Sequence, residues 1–246
     1  MDNWRDLSGR LEKCSIVATA PLRLDCGGST DHPITALLGK VYHPATTNLA
    51  LELRTRVSLQ PYHAGKILIE FEGQGKKEID PCELNFTGSY GLMNAIIAHF
   101  GVTGFHLSVN FQAPPYSGLG GSGALCVAVI GALFRAISDK ENDSTELSKI
   151  SILAHNIEDA LYGNTGLQDQ LAAAFGDVHL WEWDYGSSLN FNGSNLNCDL
   201  INLESHILLA YTGEPHPSSE KGSMFLNAFS NGTQKNHWNL LLGFLN

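Results

Sequence analysis

The sequence predicts an α+β protein. Three observations carry that reading: alternating apolar and polar residues mark strands through the first 112 residues, long helical segments fill the middle, and strand patterns return after Gly176. From Leu49 to Leu59, Leu49, Leu51, Leu53, Val57 and Leu59 alternate with Glu52, Arg54, Arg56 and Ser58, the pattern of a half-buried strand. "GKILIEFEG" repeats it with Ile67, Ile69 and Phe71, and "FHLSVNFQ" with Phe105, Leu107, Val109 and Phe111. Such alternation leaves one face solvated, so the sheet is expected to be antiparallel or mixed rather than doubly wound and parallel. Ser122 to Ile137 is apolar almost all round and predicts a buried helix. The next helix begins at "DSTE", where Asp143 can cap and Glu146 completes a capping box, and it carries Ile150, Leu153, Ile157 and Leu161 on one face. "DVHLWEW" and "HILLAYTG" read as strands, and "SSEKGSMFLNAF" as a helix.

Composition narrows the function. The 246 residues are 43% hydrophobic and only 16% charged, enough apolar material for a core and too little charge for disorder. The net charge is −10, and no block of Lys or Arg exists to capture nucleic acid or an anionic membrane. Five cysteines lie far apart without a C-x-x-C pair, and ten histidines lack an H-E-x-x-H spacing, so neither a zinc site nor a disulfide framework is indicated. The amino terminus is polar and acidic, unlike a signal peptide, and the longest apolar run, Ala124 to Phe134, is too short to span a bilayer. A reduced, soluble, cytoplasmic protein is expected.

The stretch "APPYSGLGGSGALCVAV" bears on chemistry. Its "GLGGSG", Gly118 to Gly123, matches G-x-G-x-x-G, but the second parallel strand of a dinucleotide-binding unit is missing. Asp139 has the spacing of the acidic residue yet falls in a polar turn, which disfavours a dehydrogenase. No Lys-Ser or Lys-Thr follows the last glycine, so the Walker pattern fails too. Two readings remain. The glycines are either a plain turn between strand and helix, or an anion site in which free amides and the positive end of the helix dipole supply the charge, with the Ser122 hydroxyl offered to Mg²⁺.

Three segments together resemble the GHMP kinases, the family of galactokinase, homoserine kinase, mevalonate kinase and phosphomevalonate kinase. "PYSGLGGSGA" resembles their phosphate loop, "APLRLDCGGSTDHP" (Ala20 to Pro33) their N-terminal substrate motif, and "GLQDQLAAAFGD" (Gly166 to Asp177) the segment with their catalytic aspartate. The nearest likeness is to the D-glycero-D-manno-heptose 7-phosphate kinase branch. The resemblance implies a sheet with helices packed on one side and a left-handed β-α-β crossover. It also implies an ATP- and Mg²⁺-dependent kinase acting on a hydroxyl of a sugar or sugar phosphate. ATP phosphates would be held by Pro115, Ser117, Gly118, Leu119, Gly120, Gly121, Ser122, Gly123 and Ala124, although Gly121 and Gly123 stand where the family commonly has serines. The substrate would be met by Asp25, Gly27, Gly28, Thr30, Asp31 and Gln168, and the metal by Ser122 and Glu158. Asp169 and Arg23 would be the catalytic pair.

Each assignment has a plainer alternative. Asp169 can cap a helix starting near Gln170. Glu158 flanks the apolar stripe and can be a glutamate at the edge of the core, while Asp159 points to solvent. Arg23 can form a surface ion pair, and Gly27, Gly28 and Asp31 an Asp-capped glycine turn. The resemblance further implies an N-terminal ATP-binding domain over residues 1–200 and, over 201–246, the beginning of an incomplete C-terminal domain. A homo-oligomer, or a partner chain completing that domain, would then be expected. A non-catalytic or split nucleotide- or sugar-binding protein is the alternative function.

Overall fold

The computed structural model describes residues 4–28, 44–138, 144–163, 165–185, 189–214 and 231. Thr30, Asp31, Asp139, Asp143 and the helix expected at 218–229 lie outside the described residues.

The backbone of the fold is a long hairpin, β2 (Ile16–Gly28) against β3 (Ala45–Pro61). One edge of β3 takes β2 along nearly its whole length. The opposite edge is shared end to end, with β7 (Phe105–Phe111) on Thr55 to Pro61 and β8 (Val178–Tyr185) on Ala45 to Leu49. Beyond β7 come β4 (Ile67–Phe71) and β5 (Gly75–Ile79), and beyond β8 comes β9 (Leu189–Asn195). All these pairs are antiparallel except β4 with β7, so the seven-stranded sheet is mixed, as expected. A separate two-stranded parallel ribbon joins β1 (Arg5–Asp6) to β6 (Val102–Thr103), near the short helix α1 (Ser8–Leu11).

The helix α2 (Gly91–Phe100) was not expected from the sequence, α3 (Gly121–Ile137) and α4 (Ser144–Tyr162) follow the predicted spans closely, and α5 (Gln168–Phe175) starts near the expected Gln170; a short α6 (Leu200–Glu204) comes last. The nearly uniform apolar surface of α3 has a simple cause. It lies between β2 and β3 on one side and α2, α4 and α5 on the others, so almost every direction is core. The main core joins Val57 and Leu59 of β3, Ile67 and Ile69 of β4 and Leu107 and Val109 of β7 to Ala124, Ile130 and Leu133 of α3.

A second cluster forms around Trp181 and Trp183 of β8 with Leu167 and Leu171. Trp181 crosses onto Gly193 of β9, its register partner, and a methyl group on that glycine would sit 2.2 Å from the indole ring. Phe175 and Phe191 meet the same ring edge-on and His179 stacks against it.

Three expectations are corrected. The alternation from Leu49 to Leu59 is not one continuous face. Pro21 pairs with Arg54 while Arg23 pairs with Ala50, so two residues of β2 span four of β3. Pro21 has no N–H to give the ladder, a usual setting for such an irregularity. Across it the buried positions of β3 change from Thr46 and Asn48 to Thr55, Val57 and Leu59. On α4 the most buried line runs through Ile150, Ser151, Ala154 and Glu158, and Asp159 is half-buried instead of solvent-facing, accepting from the backbone N–H and hydroxyl of Thr165. "HILLAYTG" forms no strand, and Leu208 is 92% exposed, because no strand among the described residues lies beside it to take its main-chain hydrogen bonds. No helix among the described residues is long and apolar enough to cross a membrane.

Candidate active site

The site assembles around Arg23, at the irregular step of β2. Its backbone N–H donates to the carbonyl of Leu119 at 3.0 Å. Its guanidinium Nη1 donates to the carbonyl of Gly118 at 2.7 Å. Nε and Nη2 reach Asp169 Oδ1 at 2.9 and 2.8 Å, and Nη2 also lies 3.1 Å from Asp25 Oδ2. The planar five-donor fork of arginine explains this, since it can serve a carbonyl and two carboxylates from one fixed plane. One side chain thus ties the glycine loop to Asp169.

The loop enters α3 through Gly120, whose φ of 70° is left-handed and suits glycine. The start of the helix has no side-chain cap. The first-turn amides of any helix lack intrahelical acceptors, and here they come from Gly121, Ser122 and Gly123. Asp169 packs directly onto this turn. A Cβ on Gly120 would fall 3.3 Å from Asp169 Cγ, and one on Gly123 only 2.8 Å from Asp169 Cβ. Gly123 is therefore required by the close approach of α5, whereas a Cβ on Gly121 meets nothing within 4 Å. Tyr116, in the same loop, also has a left-handed φ of 58° and is exposed.

Asp169 sits in the first turn of α5, and that helix starts at Gln168 with no side-chain cap, so the capping alternative for Asp169 is not what the geometry has. Glu158 projects from α4 with only 6% exposure. It pairs with the hydroxyl of Ser122 and accepts from Gln170 Nε2 at 2.7 Å. Burial raises its carboxyl above the usual carboxylate range; the Ser122 hydrogen bond opposes this, the charge of Asp169 adds to it, and the Gln170 bond opposes it again. Desolvation also raises Asp25, opposed by the Arg23 guanidinium and reinforced by Asp169. Three carboxylates thus face one arginine and a helix N-terminus.

The structure brings together Arg23, Asp25, Gly118, Leu119, Gly120, Ser122, Gly123, Glu158 and Asp169. Pro115 and Ser117 lie in the same loop, and Ala124 is buried as the fourth residue of α3, its N–H already given to the carbonyl of Gly120. Gly27 and Gly28 end the described part of β2, paired with Thr47 and Thr46. Gln168 touches this framework through its backbone, whose carbonyl accepts from Asn48 Nδ2 at 3.2 Å.

Sequence reasoning missed two buried polar residues here. Gln170, 1% exposed, holds Glu158, and Asn48, fully buried, links Trp181 to Gln168. The only signal for Gln170 was its place beside Asp169 in "QDQ". Asn48 was hidden because the irregularity in β3 turns it inward.

Residues 89–177 match the family model of the GHMP kinases N terminal domain. No curated protein matches the chain by sequence. Among solved structures, a provisionally assigned sugar kinase from Campylobacter jejuni is 25% identical with a TM-score of 0.60, the match covering 74% of this chain and 59% of that one. The D-glycero-D-manno-heptose 1-phosphate kinase of Bacteroides thetaiotaomicron is 26% identical with a TM-score of 0.60, over 72% of this chain and 58% of that one. The Streptococcus pneumoniae phosphomevalonate kinase, in complex with phosphomevalonate and AMPPNP, is alike in fold alone: 16% identity, a TM-score of 0.56, and 74% and 59% of the two chains. The chain thus spans just under three fifths of the length of each of these relatives. The segment similar to the GHMP kinases N terminal domain, residues 89–177, is the one that carries the glycine loop, Glu158 and Asp169.

Proposed function

We propose that this protein is a small-molecule kinase that transfers the γ-phosphoryl group of ATP to a hydroxyl of a sugar or sugar phosphate of the heptose phosphate kind. One observation carries the reading: Arg23 joins the glycine loop at Gly118 to the Asp169 carboxylate. Phosphoryl transfer asks a protein mainly for positioning and charge stabilisation. The amides of Gly121 to Gly123 and the α3 dipole would hold phosphate oxygens. Both guanidinium contacts of Asp169 fall on Oδ1, so Oδ2 would take the hydrogen bond, or the proton, of the acceptor hydroxyl. Arg23 would lend its fixed charge to the transferring group.

The donor set of Ser122 and Glu158 is hard oxygen and fits Mg²⁺, which keeps few protein ligands and fills its shell with phosphate and water. When bound there it would neutralise phosphate charge. Residues 1–200 would form the nucleotide-binding domain, and 201–246 would begin a second.

The test is ADP release from ATP and Mg²⁺ with a panel of sugars and sugar phosphates. Turnover with one of them is expected, and Asp169→Asn should lower it at least about 100-fold while nucleotide still binds. A folded sample with no turnover on any acceptor would refute the reading. A second reading, a non-catalytic binder completed by another chain, draws on the apolar side chains exposed late in the described chain, Ile201 at 83% and Leu208 at 92%. Calorimetry that finds ATP binding without ADP formation would favour it.

A further inference from the structure

Asn48 is fully buried in the middle of the sheet, where β3 pairs with Asp25 of β2 on one edge and with His179 of β8 on the other. Its side chain makes two hydrogen bonds. Oδ1 accepts from the Trp181 indole Nε1–H at 3.1 Å, and Nδ2 donates to the carbonyl of Gln168 at 3.2 Å. The chemistry fixes which end is which, since an indole N–H only donates and a peptide carbonyl only accepts. Trp181 is itself buried, 1% exposed and packed by Phe175, His179 and Phe191.

The carbonyl of Gln168 belongs to the peptide plane whose nitrogen is that of Asp169. A hydrogen bond to it therefore sets the plane from which the Asp169 side chain springs. We infer that Asn48 is a positioning residue for Asp169: anchored on Trp181, it orients the Gln168–Asp169 peptide so that the carboxylate meets Arg23 and the glycine loop. The inference rests on the kinase reading for its effect on turnover, though not for its effect on geometry. The asparagine amide satisfies both ends, as its nearest relatives in shape do not. Ionised aspartate has no donor for the carbonyl, leucine has neither group, and glutamine is one methylene too long.

The test replaces Asn48 with leucine, which has the same branching of heavy atoms, a larger volume and neither hydrogen-bonding group. In the whole chain, Asn48→Leu is expected to lower kcat about 30- to 100-fold, as for a reacting group displaced by about 1 Å, with KM for ATP within about twofold. The comparison is Thr46→Val. Thr46 is equally buried two residues back on the same face, and its hydroxyl accepts from Trp183 Nε1 at 2.9 Å, so the substitution removes a like bond and should leave kcat per folded molecule unchanged. A readout independent of turnover is the ¹H–¹⁵N signal of Arg23 Nε. It should persist as a hydrogen-bonded resonance in wild type and Thr46→Val, and shift or broaden in Asn48→Leu. If Asn48→Leu does not fold, Trp181→Phe keeps an aromatic ring at that place, drops the indole donor together with part of the ring volume, and should lower kcat about fivefold while moving the same signal. Wild-type turnover that survives Asn48→Leu or, failing that, Trp181→Phe, with the Arg23 signal unmoved, overturns the inference. Absent wild-type turnover with a signal that moves as described sinks the kinase reading and leaves the positioning intact. An unmoved signal in that case removes both.

Discussion

Gly123→Ala should damage turnover far more than stability. The added Cβ would lie 2.8 Å from Asp169 Cβ, 3.2 Å from its carbonyl carbon and 3.3 Å from the nitrogen of Gln170. Carbon atoms in ordinary contact stand about 3.5–4.0 Å apart, so the first turn of α5 must retreat by about 1 Å. Two of the three atoms are backbone, so no change of rotamer relieves the clash. Overpacking of this kind costs about 1–3 kcal/mol, and the better helix propensity of alanine returns about 1 kcal/mol. The net loss, about 0–2 kcal/mol, lowers Tm by up to about 8 °C in a domain of this size. A retreat of about 1 Å, by contrast, takes Asp169 off the loop and is expected to cost about 100-fold in kcat. Serine at 123, the residue common in the loops this one resembles, should do the same. Gly121→Ala, with nothing within 4 Å of its Cβ, is the control and should keep both Tm and turnover. The assay is ADP release beside thermal unfolding of the same samples. Gly123→Ala with wild-type turnover would refute the claim that α5 needs this glycine.

Two further predictions concern stability. Burial raises the Glu158 carboxyl, so over the window from the ordinary value, about 4.3, up to the folded value the native state binds more protons than the unfolded state. Stability is then lost as pH rises through that window, and Glu158→Gln removes the loss. The Tm of Glu158→Gln minus that of wild type should grow from about pH 4 to neutrality without divalent cations, and a constant difference would contradict the assignment. Gly193→Ala would place a methyl 2.2 Å from Trp181 Cζ3, on a ring that Phe175, His179 and Phe191 keep from moving. A loss of about 1–3 kcal/mol in chemical denaturation is expected, and an unchanged midpoint would be evidence against it.

The period-2 strands at Ile67 to Phe71 and Phe105 to Phe111 were legible because a half-buried sheet face imposes its own pattern. The α3 helix was legible because core on nearly every side leaves few polar positions. Reading β3 as one alternation failed at Pro21, since the accommodation of a missing N–H depends on the partner strand and leaves no mark on β3 itself. Asn48 and Gln170 were lost for a related reason. A buried amide is ordinary in composition, and its meaning lies in the partners that tertiary structure brings to it. The strand expected at "HILLAYTG" had the right pattern, but strand structure also requires a neighbour.

Arg23 also sets the order of events during synthesis. Two of its side-chain partners, Gly118 and Asp169, lie 95 and 146 residues further along the chain, so the residue that unites the site leaves the ribosome long before either arrives. A nascent chain cut short of position 169 lacks the Asp169 carboxylate that Arg23 meets in the folded protein. On the proposed kinase reading, chemical competence therefore comes late in synthesis.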